Sequence, residues 1–356
     1  MEPKSVAGGV ANVAYYLPKA LAKKVNITYF PPFAPKKDYL VNLLNIYRKF
    51  LKKEFDIIHF NFAPTWINVG SMLLRFAKKR GAHTVLNIHG LIPLEHKLKP
   101  AQGPIPYMAL SNTLRHCKVA DRIIVNSEYM RTEVIAWYGI NRDKIVVIPN
   151  GVDTKKFRHV KRRTNLSGDP AILFVGRVEY PKGISILVES MKEIIKELPD
   201  AVLHVVGNGR LMNQLKGFVT SNCLDNSVIF HGQKTIMDVP SFYSSADICA
   251  FPSTDHEAFG ITIIEAMAAG KPIISTRKGA IPENVENFKN GVLVEPEKED
   301  LKKAIVSLWN NKNLMEKISK NNLEKAKYYD WSRIADQYIC LYHDTLSRSF
   351  VRMVNG

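Results

Sequence analysis

Short apolar, β-branched runs alternate with stretches of helical period along the whole chain. In the first half the runs are Val25–Phe30, Asp56–Phe60, His83–Ile88, Arg122–Asn126 and Ile145–Ile148. Helical patterns fill the gaps at about 10–23, 39–54, 66–80, 105–118 and 128–138. The second half repeats the alternation, with Ala171–Val175, Val202–Val206, Val228–Phe230, Ile248–Phe251, Pro272–Ser275 and Gly291–Val294. Strands separated by helices imply βαβ units and parallel sheets, and two such series imply two doubly wound domains.

Between them, Asp153–Asp169 is polar, charged and without period. Gly168 and Pro170 close it just before a strong strand, so the segment reads as a linker and not a helix. The stretch at about 298–346 is helical with no further strand, and either caps the second domain or crosses back onto the first. The domains are accordingly expected at 1–160 and 161–330, with a terminal helix in 331–356.

One element is missing from this scheme. A doubly wound domain opens with a buried strand leading into its first glycine loop. Only seven residues, Pro3 and Lys4 among them, precede Gly8-Gly9. Loss of a central strand would expose two sheet edges. The expectation is therefore that the natural start lies upstream of Met1 and supplies that strand.

Composition changes the picture little. At 356 residues, 46% apolar and 23% charged, the chain is ordinary for two globular domains. No apolar run approaches the roughly 18–20 residues that span a bilayer, and Met1-Glu2-Pro3-Lys4 opens no signal peptide. Cys117, Cys223, Cys249 and Cys340 are too scattered for a zinc site or a disulfide frame, and suit a reducing cytoplasm.

Charge changes it more. The net charge is +17, yet residues 1–165 hold 28 Lys and Arg against 10 Asp and Glu, and the remainder 22 against 23. One half is strongly basic and the other neutral, which suggests an anionic partner for the first half. The stretches Tyr39–Glu54 and Trp66–Arg80 combine apolar and basic faces. Taken singly, each reads as a helix packed on its sheet with solvated lysines. Together with the charge asymmetry they suggest peripheral attachment to an anionic membrane surface.

The most informative segment runs from Asp255 to Pro272, DHEAFGITIIEAMAAGKP, after the strand Ile248–Phe251. It reads as a loop entering a helix that ends near Gly270. Glu257 lies ahead of the helix and Glu265 inside it. A helix N-terminus is a seat for phosphate, and a carboxylate on either side can accept hydrogen bonds from ribose and hexose hydroxyls. Either acid alone would read as an ordinary helix residue. A second constellation follows the strand Ala171–Val175, where Gly176-Arg177-Val178-Glu179-Tyr180-Pro181-Lys182-Gly183 places a basic pair on a loop able to grip a diphosphate. Gly207-Asn208-Gly209 is a tight turn after a third strand, and His89-Gly90 closes His83–Ile88.

The Asp255–Pro272 string resembles the signature of family 4 retaining glycosyltransferases: E-x-F-G, an apolar helix, a second Glu and A-M-A-x-G-x-P. The Gly176–Gly183 loop resembles the same family's G-R-x-x-x-x-K-G clamp. The likeness covers nearly the whole chain, densest from 145 to 296. It implies a GT-B fold, two Rossmann-like α/β domains facing a cleft, with the donor on the second domain and the acceptor on the first. Carried onto this sequence, Glu257 contacts the donor sugar together with Phe259, Gly260 and Thr262, and Glu265 holds the ribose. Arg177 and Lys182 clamp the diphosphate, Gly207 and Gly209 pass near the base, and His89 touches the donor sugar. Gly8 and Gly9 form the glycine loop. Asn126-Ser127 and Pro149-Asn150-Gly151-Val152-Asp153 match recurrent family segments, the latter read as structural.

The resemblance further implies a nucleotide-sugar substrate (UDP- or GDP-linked) and retention of anomeric configuration, while the charge asymmetry suggests a lipid-linked or phosphorylated glycan acceptor at the cytoplasmic membrane face. No cofactor or metal is expected, since no D-x-D pair stands out and cationic side chains with a helix end can neutralise the leaving group. A sugar-nucleotide epimerase of the same architecture is the alternative. A nucleic-acid-binding protein is suggested by charge alone, without the interleaved aromatics of a stacking platform. A retaining glycosidase is rejected, because both motif acids are needed for the donor.

Overall fold

A computed structural model describes residues 9–28, 48, 55–62, 69–90, 105–158, 160 and 164–354. The chain divides into two compact units, one built on Asn12–Pro149 with Ser332–Gly356, the other on Asn150–Trp331 with the residues up to Ala11.

The first unit carries α1 (Gly9–Leu21), β1 (Ile57–Phe62), α2 (Val69–Lys79), β2 (His83–Ile88), α3 (Ile105–Val119), β3 (Arg122–Val125), α4 (Glu128–Tyr138) and β4 (Ile145–Val147). Its four strands pair in parallel in the order β1-β2-β3-β4. The central strands are apolar without a break, as strands covered on both faces must be, and Val85, Leu86, Ile88, Ile123, Ile124 and Val125 are all buried. Ser127 caps α4 by accepting from the Met130 N–H at 3.1 Å, and Gly139 ends it in the left-handed conformation. The strand expected at Val25–Phe30 does not form over its described part. Val25–Thr28 is bend and irregular chain, although three of these four residues favour strand. β-Propensity counts only when a neighbouring strand is there to pair. Apart from Arg48, which is helical and exposed, the helix expected at 39–54 lies outside the described residues, as does the glycine Gly8.

The second unit carries α5 (Thr154–Arg158), β5 (Ala171–Val175), α6 (Ile184–Glu197), β6 (Val202–Val206), α7 (Met212–Ser221), β7 (Val228–Gly232), α8 (Val239–Ser245), β8 (Ile248–Phe251), α9 (Ile261–Ala268), β9 (Ile273–Thr276), α10 (Ile281–Asn284), β10 (Val292–Val294), α11 (Lys298–Trp309) and α12 (Lys312–Ala326). Its six strands lie in the order β10-β9-β8-β5-β6-β7, all parallel. The order reverses between β5 and β8, and that switch point leaves a crevice at the strands' carboxyl ends. Alternation sorts each strand between two cores. Ile172, Phe174, Ile248 and Ala250 join α6, α7 and α11 on one face, while Leu173, Cys249 and Phe251 join α8 and α9 on the other. The expected linker is not wholly irregular: Thr154–Arg158 forms a helical turn because Phe157 is buried in the second core.

Asn150–Asp153 is structural in this unit. The Val152 N–H donates to the Tyr329 carbonyl at 2.8 Å, and a side chain at Gly151 would overlap the Trp331 indole. From there α13 (Trp331–Val354) runs into the first unit, where Ile334, Tyr338 and Leu341 are buried. Among the described residues no helix is long and apolar enough to cross a membrane.

Candidate active site

Three loops meet at the switch point of the second unit. The first, Gly176–Gly183, leaves β5 and turns into α6 through a 3-10 turn at Tyr180–Lys182. Gly183 sits at φ 65°, and a side chain there would drive into the Pro252 carbonyl of the loop leaving β8. Only glycine satisfies both the left-handed backbone and that approach. The two loops are tied further: Thr254 N–H donates to Pro181 O at 3.1 Å, and its hydroxyl to Tyr180 O at 3.0 Å. The third loop, Gly207–Arg210 after β6, is zipped to the first. Val178 N–H donates to Asn208 O at 3.0 Å, while Arg210 donates to the Glu179 carboxylate through its backbone N–H at 3.1 Å and Nε at 2.9 Å. Gly207 and Gly209 lie against the backbone of Gly176 and Val178 and so make that contact possible.

These loops carry the functional side chains to a small cavity of about 30 Å³, lined by Gly176, Lys182, Ser253, Glu257, Gly260 and Thr262, among others. Lys182 Nζ and Glu257 Oε2 form an ion pair there, both groups largely shielded from solvent, and Ser253 Oγ donates to the same carboxylate oxygen at 3.4 Å. Gly260, at φ 85°, caps α9, whose first turn therefore opens on the cavity with its N-terminal N–H groups and positive dipole end. Behind it Glu265 is buried and accepts from the Tyr243 hydroxyl at 3.0 Å. Burial, reinforced by the Glu265 charge, holds the Tyr243 phenol well above its ordinary range, so it stays a donor. Arg177, next to Gly176 in the lining, is exposed, its guanidinium in no ion pair among the described residues.

The structure thus brings together Arg177, Lys182, Gly207, Gly209, Glu257, Gly260, Thr262 and Glu265. Phe259 faces elsewhere: its ring is buried edge-on to Tyr329, with centroids 6.0 Å apart, and serves the core. Gly9 opens α1, and His89 follows β2 of the other sheet. His89 Nε2 lies 3.3 Å from Asn61 Oδ1, and burial pulls the imidazole down to about 4, so the ring is neutral at neutral pH. Tyr243, Ser253, Asn61 and Asn87 were not foreseen. Tyr243, Asn61 and Asn87 act through long-range contacts that no local pattern announces, and Ser253 through the Glu257 carboxylate four positions on.

Comparison with known proteins decides the family. Residues 156–325 match the family described as Glycosyl transferases group 1, and residues 24–156 that described as Glycosyltransferase Family 4. A phosphatidyl-myo-inositol mannosyltransferase of Mycobacterium tuberculosis is 31% identical over 299 residues, 81% of this chain and 74% of the relative. The chain belongs to glycosyltransferase family 4. Its fold is that of GT-B glycosyltransferases, two parallel-sheet Rossmann-like α/β units. Sucrose-phosphate synthase from Thermosynechococcus elongatus superposes with a TM-score of 0.76 at 22% identity, over 96% of this chain and 94% of that one. Anabaena HepE in complex with UDP-glucose does so with a TM-score of 0.73 at 21% identity, over 98% of each chain. This family 4 glycosyltransferase therefore keeps the family's fold while its sequence has diverged widely.

Proposed function

We propose that this glycosyltransferase moves a hexose from a nucleotide-diphosphate sugar, UDP- or GDP-linked, with retention of configuration and without a bound metal. The observation that carries the reading is the Lys182–Glu257 ion pair beside the opening turn of α9. With no ligand, cation and carboxylate satisfy one another, and neither is left as a buried uncompensated charge. A diphosphate would take Lys182 and the free guanidinium of Arg177, adding the α9 dipole as a third positive element. Glu257 would then accept from a sugar hydroxyl, and Glu265, held by Tyr243, from the ribose. As the glycosidic bond breaks, negative charge grows on the diphosphate, and these fixed donors stabilise it where a metal would otherwise act. UDP-glucose in the HepE complex supports a uridine donor. His89 accepts or donates to a sugar hydroxyl.

The acceptor in this reading is a lipid-linked or phosphorylated glycan at the cytoplasmic face of an anionic membrane, to which the protein binds peripherally. The charge asymmetry between the halves supports it, as does the phosphatidyl-inositol acceptor in the mycobacterial relative's name. The test is thermal melting with UDP, GDP and their sugar conjugates, each with and without EDTA. A ligand at 100 times its Kd stabilises by about 2.7 kcal/mol, a clear rise in Tm. One nucleotide should act regardless of EDTA and lose its effect in Glu265→Ala. No shift with any nucleotide would overturn the reading.

A further inference from the structure

Asn61 on β1 and Asn87 on β2 are register partners at the carboxyl end of the first unit's sheet, so their side chains stand together on one face. Asn87 Nδ2 donates to the Tyr338 hydroxyl oxygen on α13 at 2.8 Å and to Asn61 Oδ1 at 3.2 Å. The same Asn61 oxygen lies 3.3 Å from His89 Nε2. A carboxamide oxygen carries no hydrogen, so the proton in that contact belongs to Nε2. A neutral imidazole protonated at Nε2 has a bare lone pair at Nδ1. In this structure Nδ1 is buried and has no hydrogen-bond partner. A buried acceptor left unpaired is costly, and a ligand hydroxyl would relieve it.

We infer that Asn61, oriented by Asn87 and Tyr338, is a positioning residue that fixes His89 as the Nε2–H tautomer and dedicates Nδ1 to accepting a hydrogen bond from a sugar hydroxyl. This rests on the sugar contact assigned to His89 above, and narrows it to one atom and one direction of donation. The relay runs from α13 through β2 and β1, so a helix at the end of the chain sets the state of a side chain near residue 90. The hydroxyl belongs to the donor hexose or to the acceptor sugar, which share this chemistry.

The experiment is a long-range ¹H–¹⁵N NMR spectrum of the full chain labelled at histidine, with His89 assigned by its loss in His89→Gln. The wild-type protein should show a protonated Nε2 and a bare Nδ1. Asn61→Leu should scramble the tautomer, and Asn61→Asp, which keeps the acceptor oxygen, should return the proton to Nε2. The rise in Tm with UDP, retained in both variants, shows that they are folded. A proton on Nδ1 in the wild type, or an unchanged pattern in Asn61→Leu, overturns the inference while leaving the nucleotide-sugar reading intact. Movement of the Nδ1 resonance with UDP-glucose but not UDP assigns the hydroxyl to the donor. Movement only with UDP plus methyl α-mannoside assigns it to the acceptor. If neither sugar moves it, Nδ1 does not serve a hydroxyl and the inference fails, whatever UDP does to the Tm.

Discussion

Lys182 and Glu257, seventy-five positions apart in the chain, neutralise each other at the mouth of the crevice between β5 and β8. Their pairing is a consequence of two loops forced together by Gly183 beneath Pro252. The pair has two uses in sequence: it stabilises the empty site, and it holds both groups where phosphate and sugar would take them over.

Breaking it from either side should therefore affect binding and stability differently. Lys182→Ala removes the proposed phosphate ligand and leaves Glu257 partly buried with a donor in the Ser253 hydroxyl. The expected result is loss of at least tenfold in nucleotide affinity, about 1.4 kcal/mol. Glu257→Gln keeps the shape and leaves Lys182 unopposed. Binding of UDP alone should be preserved or tightened, while turnover of the sugar conjugate collapses. Calorimetry with UDP and assay of UDP-sugar consumption separate the two. Equal losses in both variants would contradict the division of labour.

Much of this site is legible in the sequence, because its parts are local. The strands Ala171–Val175 and Ile248–Phe251 are unbroken apolar runs, and the loops that follow them hold Arg177, Lys182 and Glu257 within a few residues. What escapes is whatever depends on distant partners. Tyr243 reaches Glu265 across two elements, and Asn87 meets Tyr338 across 251 positions. Phe259 sits inside a binding motif yet packs on Tyr329, since a motif residue is retained as readily for the core beneath a loop as for the ligand above it. Val25–Thr28 has strand composition in part but no strand structure, because pairing decides where composition only inclines.

Tyr243→Phe tests the support behind Glu265, the acid proposed to hold the ribose. The substitution keeps the edge-on packing against Phe157, centroids 5.5 Å apart, and deletes only the hydroxyl that donates to Glu265. A buried carboxylate losing a donor costs about 1–3 kcal/mol. The fold should survive with a lower Tm, and UDP affinity should fall about tenfold. Unchanged affinity would mean that Glu265 is held by its other contacts alone.

Two glycines with the same backbone separate strain from clash. Gly139 and Gly183 have φ values of 59° and 65°, but a side chain at 139 meets open space and one at 183 meets Pro252. Gly139→Ala should cost about 1–2 kcal/mol, the left-handed penalty alone. Gly183→Ala should cost clearly more, and should also abolish the nucleotide-induced rise in Tm by displacing Lys182. Urea titration measures the first effect and thermal shift the second.

Buried histidines set the acid limit of the first unit. Burial holds His59 down at about 3, with His89 adding repulsion, and holds His89 down at about 4, against an ordinary value of 6.5. Both stay neutral in the folded chain while the unfolded chain takes up protons below pH 6.5. Stability is therefore unaffected by these groups above that pH and falls as pH drops towards 4. Each contributes up to about 1.4 kcal/mol per pH unit. Tm should decline between pH 6.5 and 4.5, and His59→Phe, which keeps a ring against Tyr338, should flatten the decline. A wild-type Tm level across that window would show that the two rings accept protons in the folded state.

The basic half makes its own prediction about location. With 28 Lys and Arg against 10 Asp and Glu in residues 1–165, attraction to an anionic surface should be strong and of long range only at low salt. Vesicles of phosphatidylglycerol should pull the protein down at low ionic strength, neutral phosphatidylcholine vesicles should not, and about 1 M salt, where the screening length falls to about 3 Å, should release it. Retention at high salt would point instead to apolar insertion by an amphipathic face. Indifference to anionic vesicles at low salt would remove the case for a membrane-bound acceptor, and would leave the charge to be explained by a soluble phosphorylated one.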